Sequence, residues 1–214
     1  MHIEKNFEWK GNQIPYTIDY PQEYVQGKKY PIIIYLHGYG FVNSDIEGLK
    51  ARCPLQRARI PDNMPFILIA PHCDKTSWLL EFETLCAFMD YIYQSDFCDQ
   101  SRIYLTGSSM GGYTAWMVLM ARKELFSAAV ICCGGGQYWA NFEYKDLPIR
   151  LVHGALDTTV LPSESEIMAE RINAIGGKVE LTVHEHLAHD VWTVTFTDSK
   201  TYEWLLAHRK ESKQ

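Results

Sequence analysis

The chain has little that would hold it to a membrane, a nucleic acid or a metal ion. Its longest apolar runs, such as residues 30–36, stop far short of the ~20 residues a bilayer-spanning helix needs. The first ten residues alternate acidic, basic and aromatic side chains and lack the apolar core of a secretory signal. Positive charge is in deficit. Against 26 Asp and Glu stand 20 Lys and Arg, a net charge of −6, so no basic footprint offers itself to phosphates or anionic lipid. A small soluble substrate is therefore the expected partner. The six cysteines, Cys53, Cys73, Cys86, Cys98, Cys132 and Cys133, form no CxxC pair and show no zinc-finger spacing. Several fall inside apolar patterns, where a free thiol acts as a small hydrophobe, so reduced thiols, a cytoplasmic setting and no metal are expected. Repeats, low-complexity tracts and Pro/Ser-rich linkers are missing too, and only residues 208–214 read as a solvated tail. One domain over residues 1–214 follows.

What is present is an ordinary globular composition, 47% hydrophobic and 21% charged over 214 residues, with a marked rhythm. Short apolar runs recur at 7–9, 14–19, 31–36, 66–70, 103–106, 128–132, 149–153 and 179–183, and most are separated by segments of helical length. The first two read as a hairpin around Gly11 and Asn12. The later ones are nearly continuous in apolar residues, as strands covered on both faces should be. Phe82, Leu85, Phe88, Met89 and Ile92 repeat at helical spacing. Ser163 with Glu166 gives a capping-box pattern for a helix that ends near Gly176 and Gly177, and Tyr202, Leu205 and Leu206 mark a last helix. The expected fold is α/β, an eight-stranded, mostly parallel sheet with helices on both faces.

The segment 103–112, Ile-Tyr-Leu-Thr-Gly-Ser-Ser-Met-Gly-Gly, carries the chemistry. It places a G-x-S-x-G pattern between a buried strand and a helix over 113–121, the arrangement of a nucleophile elbow. Of the two serines only Ser109 has glycine two residues away on either side, Gly107 and Gly111. A serine hydroxyl needs a base, and the base an orienting carboxylate; in this strand order they should follow as Asp, then His. Asp157 lies four residues past the run that ends at His153. His184, His186 and His189 follow the last run. The first two would share a strand face with Thr182, whereas His189 lies beyond, where strand gives way to loop. His189 is thus the expected base and Asp157 its partner. Acyl transfer also needs N–H donors for the developing oxyanion; Tyr39, in Leu36-His-Gly-Tyr-Gly-Phe41, and Met110, next after the nucleophile, are the candidates.

On these motifs, together with Ile131-Cys-Cys-Gly-Gly-Gly136, His153-Gly-Ala-Leu-Asp157 and Ala188-His-Asp-Val-Trp192, the chain resembles compact α/β-hydrolases. The resemblance covers about residues 30–206 and lies near feruloyl esterases, polyhydroxybutyrate depolymerases and the phospholipase/carboxylesterase group. It implies a Ser109, His189, Asp157 triad and a carboxylic ester substrate, with no cofactor. Serine rather than cysteine at 109 argues against the dienelactone hydrolase branch. The span 134–148 is too short for a helical cap domain, so an open pocket is expected. Trp78, Tyr138, Trp139, Phe142 and Trp192 fall in loops near the catalytic edge, with Trp78 and Trp192 as the substrate-binding candidates. Two other readings share the fold: a serine peptidase of prolyl oligopeptidase type, and a binding protein that has lost catalysis.

Overall fold

The protein is described from a computed structural model over residues 1–42, 44–55, 60–61 and 64–211. Strands β1 (His2–Trp9) and β2 (Asn12–Asp19) pair antiparallel across a two-residue turn, Lys10 and Gly11. Both turn residues have positive φ, 48° and 78°, as a type I′ turn demands, so the turn sits one residue earlier than expected and Asn12 already pairs with Trp9. β2 joins β4 (Ile67–Pro71) antiparallel, and β3 (Tyr30–Leu36), β4, β5 (Cys98–Ser108), β6 (Ala128–Cys132), β7 (Ile149–Gly154) and β8 (Val179–His184) run parallel. The order across the eight-stranded sheet is β1-β2-β4-β3-β5-β6-β7-β8.

Alternation along the buried strands feeds two cores. In β3, Ile32, Ile34 and Leu36 point to one side, where α2 (Phe82–Tyr93), α3 (Met110–Arg122) and α4 (Ser163–Asn173) supply Phe88, Trp116 and Met168. Ile33 and Tyr35 point to the other, where α1 (Ile46–Arg52), α5 (Trp192–Thr197) and α6 (Ser199–Ala207) supply Leu49, Phe196 and Tyr202. Helices on both faces keep the central strands dry, which is why their sequences read as unbroken apolar runs.

Three expectations are corrected. α4 has no capping box: Ser163 is its first residue, Pro162 is the N-cap, and the Pro162 carbonyl takes the N–H groups of Ser165 and Glu166. Proline at that point leaves the Ser163 side chain one position too far along to cap. The C-terminal tail is docked through residue 210. Tyr104 Oη donates to the His208 carbonyl, and Lys210 Nζ to the carbonyls of Glu124 and Leu125. Residues 212–214 lie outside the described residues. β1 and β5 also begin earlier than expected, at His2 and Cys98: polar residues of β1 pair with β2, and Cys98 pairs with Tyr30. Among the described residues, no helix is long and apolar enough to cross a membrane.

Candidate active site

Because the strands from β3 to β8 are parallel, the segments that follow their carboxyl ends meet at one edge of the sheet. β5 hands directly to α3 with a single residue between, Ser109, at φ 54° and ψ −120°. That left-handed backbone costs about 1–3 kcal/mol for a residue with a side chain, and it thrusts the hydroxyl out of the turn. Its surroundings hold it there: Ser109 N–H donates to the Cys132 carbonyl at 3.0 Å, and Tyr113 N–H to the Ser109 carbonyl at 3.0 Å. A methyl group at Gly107 would strike the Gly111 carbonyl, and one at Gly111 the Leu36 carbonyl of β3. Glycine is needed at both flanks because backbones touch there.

His189 Nε2 lies 2.9 Å from Ser109 Oγ, and His189 Nδ1 lies 2.7 Å from Asp157 Oδ2. The structure thus brings together all three residues singled out from the sequence. Bonds from Ala155 N–H to the His184 carbonyl and from Leu156 N–H to the Leu187 carbonyl tie the aspartate loop to the histidine loop. Asp157 is buried, and its Oδ1 accepts the N–H groups of Thr159 at 2.8 Å and Val160 at 3.0 Å. Burial alone would raise its carboxyl; the bonds from His189, Val160 and Thr159 outweigh that and hold it below the usual carboxylate range. An ionised Asp157 fixes the proton of His189 on Nδ1 and leaves Nε2 to accept from the serine. His184 and His186 make no bond to this group among the described residues.

A second imidazole touches the same carboxylate. Fully buried His153 sets Nε2 3.0 Å from the Val160 carbonyl and 3.3 Å from Asp157 Oδ2, with Nδ1 2.7 Å from Ser165 Oγ. The Val160 carbonyl can only accept, so Nε2 carries the ring proton toward it and Nδ1 accepts from the Ser165 hydroxyl. Cys133 Sγ also lies near, its donor atom and those of Asp157 and His189 all within 4.8 Å of one another. Metal ligation would need a thiolate. Burial pushes this thiol far up, and Asp157 and His189 are spent on each other, so the trio suits hydrogen bonding better than a cation.

The candidate oxyanion donors lie on either side of Ser109. Tyr39 opens a 3₁₀ turn, Tyr39–Phe41, and Met110 is the first residue of α3; no described residue accepts either N–H. A Cβ built on Gly38 would stand 3.3 Å from Ser109 Cβ, so this turn abuts the nucleophile. His37 anchors the turn. Its Nδ1 donates to the Gly38 carbonyl at 2.9 Å, its Nε2 accepts the Cys73 N–H at 2.9 Å, and burial drives its pKa down to about 4 despite the Gly38 bond. Trp78 belongs to this anchor rather than to the pocket, which corrects the sequence expectation. It is fully buried, donates Nε1–H to the His37 carbonyl at 3.1 Å and packs on the His37 ring.

Beside Ser109 lies a cavity of about 300 Å³, with almost wholly apolar walls. Trp192 lines it, as expected, and stands edge-on to His189 at 5.3 Å. Tyr35, Phe41, Ser108 and Thr159 line it as well. Tyr138, Trp139 and Phe142 do not; they are exposed on a 3₁₀ segment between β6 and β7. Sequence reasoning missed Tyr35 and His153. Tyr35 sits inside a strand that reads as plain core, and the only signal for His153 is its spacing of four from Asp157 across a strand end.

This architecture is the α/β-hydrolase fold, built here with no cap domain among the described residues. Residues 80–137 match the prolyl oligopeptidase family. A probable feruloyl esterase C of Aspergillus terreus (strain NIH 2624 / FGSC A1156) is 28% identical over 156 residues, 71% of this chain and 57% of that protein. The crystal structure of a thermostable esterase superposes with a TM-score of 0.86 at 27% identity, over 98% of this chain and 63% of that one. Est1E from Butyrivibrio proteoclasticus shares the fold at a TM-score of 0.73 and 14% identity, over 95% of this chain and 98% of its own. The chain spans about three fifths of the length of the curated relatives it matches.

Proposed function

We propose that the protein is a serine hydrolase that cleaves carboxylic esters of small substrates, forming an acyl-enzyme on Ser109. The observation that carries this reading is the unbroken relay Ser109 Oγ, His189, Asp157, with spacings of 2.9 and 2.7 Å, beside an apolar cavity. His189 Nε2 takes the serine proton as Oγ attacks the ester carbonyl, and Asp157 stabilises the imidazolium that results. The N–H groups of Tyr39 and Met110 receive the negative charge on the carbonyl oxygen, each worth roughly 10²–10³ in turnover. His189 then returns the proton to the departing alcohol and activates the water that frees the acid. No cofactor enters this scheme.

Apolar walls with Tyr35, Phe41 and Trp192 favour an aryl or short acyl group over a charged one. The similarity to a probable feruloyl esterase supports an aryl ester in particular. Six buried cysteines, none in a disulfide among the described residues, are consistent with a reducing, cytoplasmic setting. The match to the prolyl oligopeptidase family favours one second reading, a serine peptidase on the same relay.

A panel of p-nitrophenyl acyl esters, aryl methyl esters, acetylated xylo-oligosaccharides and a prolyl arylamide tests both. Ester turnover is expected, falling to background in Ser109→Ala, with fluorophosphonate labelling of the wild type alone. Arylamide turnover without ester turnover would instead establish the peptidase. Silence on every substrate without labelling would leave a binding protein.

A further inference from the structure

The segment that follows β4 reverses the usual partition of side chains. In its 3₁₀ turn, Trp78–Glu81, the two leucines, Leu79 and Leu80, are exposed at 61% and 66%, while the glutamate is only 3% exposed. Glu81 Oε1 lies 3.4 Å from Lys75 Nζ, which also reaches Asn12 Oδ1 at 3.5 Å. Glu81 Oε2 is buried and has no hydrogen-bond partner among the described residues. Burial, with Asp74 adding to it, raises the pKa of this carboxyl and outweighs the Cys73 thiol and Lys75, which lower it. A buried oxygen without a donor costs stability, and an inward-facing leucine would avoid that cost.

What the carboxyl holds is the loop that grips the oxyanion turn. This segment binds His37 twice, through the Cys73 N–H on Nε2 at 2.9 Å and the Trp78 Nε1–H on the His37 carbonyl at 3.1 Å. Its first residue, His72, sets Nε2 3.3 Å from the Phe41 carbonyl. The grips thus fall on both sides of Tyr39. Cys73 Sγ donates to the Lys75 carbonyl at 3.2 Å, and the Lys75–Glu81 contact then joins the Cys73 end of the segment to its Trp78 end. Resting on the esterase reading above, we propose that Glu81 is a positioning residue for the oxyanion donor. By closing the loop on Lys75 it fixes the two bonds to His37, and through them the Tyr39 N–H. It touches no reacting atom. Its contribution is to turnover, and the fold is no more stable for it.

The test is Glu81→Leu, which removes the carboxyl and leaves Lys75 its contact with Asn12 and with solvent. On a p-nitrophenyl acyl ester kcat should fall roughly tenfold, against the 10²–10³ that outright loss of an oxyanion donor costs. KM should stay within about twofold, because the donor acts on the transition state. The urea midpoint should hold level or rise. A trifluoromethyl ketone, which Ser109 converts to a hemiketal oxyanion, should lose affinity in the same proportion as kcat. Glu81→Gln, which keeps an acceptor for Lys75 Nζ, should recover part of the loss. A midpoint that drops together with kcat, or a Glu81→Leu that does not fold, gives Glu81 a structural role and overturns the proposal. So does an unchanged kcat or ketone affinity in the folded variant, and each of these leaves the esterase standing. No ester turnover and no fluorophosphonate labelling in the wild type would remove the esterase reading, and the role of Glu81 with it.

Discussion

Asp157 Oδ2 is shared by two imidazoles, and the consequences of losing each are different. Asp157→Asn keeps the shape of the side chain but offers an N–H where an acceptor is needed, so His189 is driven toward the wrong tautomer; kcat should fall by about 10³–10⁴, with little change in KM. His153 acts one step further out, as a positioning residue: its Nε2–H donates to the Val160 carbonyl in the Asp157 loop, with Asp157 Oδ2 3.3 Å away. His153→Phe fills the volume but removes that donor, a neutral bond to the loop that carries Asp157, and its loss should cost roughly three- to tenfold in kcat. KM should change little, because His153 reaches the substrate only through the Asp157 loop. A kcat unchanged in the folded variant would reduce His153 to packing. Residues of the relay were legible in the sequence because their order and their positions after apolar runs are dictated by the fold. His153 and Tyr35 were not, because each lies within a strand where burial alone accounts for its presence, and only the third dimension shows that one faces a carboxylate and the other a cavity.

At the level of elements, the elbow is where β3, β5 and α3 come within backbone contact, and it has no room to give. Gly111→Ala would force its methyl into the Leu36 carbonyl, so α3 must shift away from β3 or the turn must open. Overpacking against backbone, which cannot change rotamer, should cost about 3 kcal/mol. The urea midpoint reads this directly, and ester turnover should fall with it, because the same shift moves Ser109 off His189. An unchanged midpoint would mean that the elbow is looser than its contacts imply. Such tightness also explains what the sequence revealed of the elements. The inner strands and α2 were legible because both faces or one full face are apolar. The early residues of β1 were hidden because an edge strand alternates polar with half-buried residues and reads as loop until its partner is known. The cap of α4 was misread because Ser163 and Glu166 have the right spacing, yet Pro162 starts the helix one residue sooner.

For the molecule as a whole, burial of titratable groups sets how it responds to its medium. Burial pushes the thiols of Cys73, Cys98 and Cys132 up to about 12, so a native sample should react slowly with a disulfide reagent at pH 8 and release six thiols only on unfolding. Rapid native reaction would contradict that packing. Acid acts in two successive windows. His37 is held neutral in the fold at a pKa of about 4 against an ordinary 6.5, so between these values the unfolded chain binds the extra proton and the native one does not. Stability therefore declines as pH falls from about 6.5 to 4, by about 3 kcal/mol at the end of the window, and this contribution is flat below it. Asp157, whose folded pKa is depressed, contributes stability above its unfolded value and loses it as pH falls further, so it takes over where His37 leaves off. Urea midpoints measured from pH 8 to 3 should thus decline from near neutrality, well before carboxylates titrate. In His37→Gln the first part of that decline should vanish while the second remains. A wild-type midpoint that holds level down to pH 4.5 would show that His37 is free to take up a proton in the folded protein. The turn carrying Tyr39 would then be far less firmly anchored than its bonds to Gly38, Cys73 and Trp78 imply.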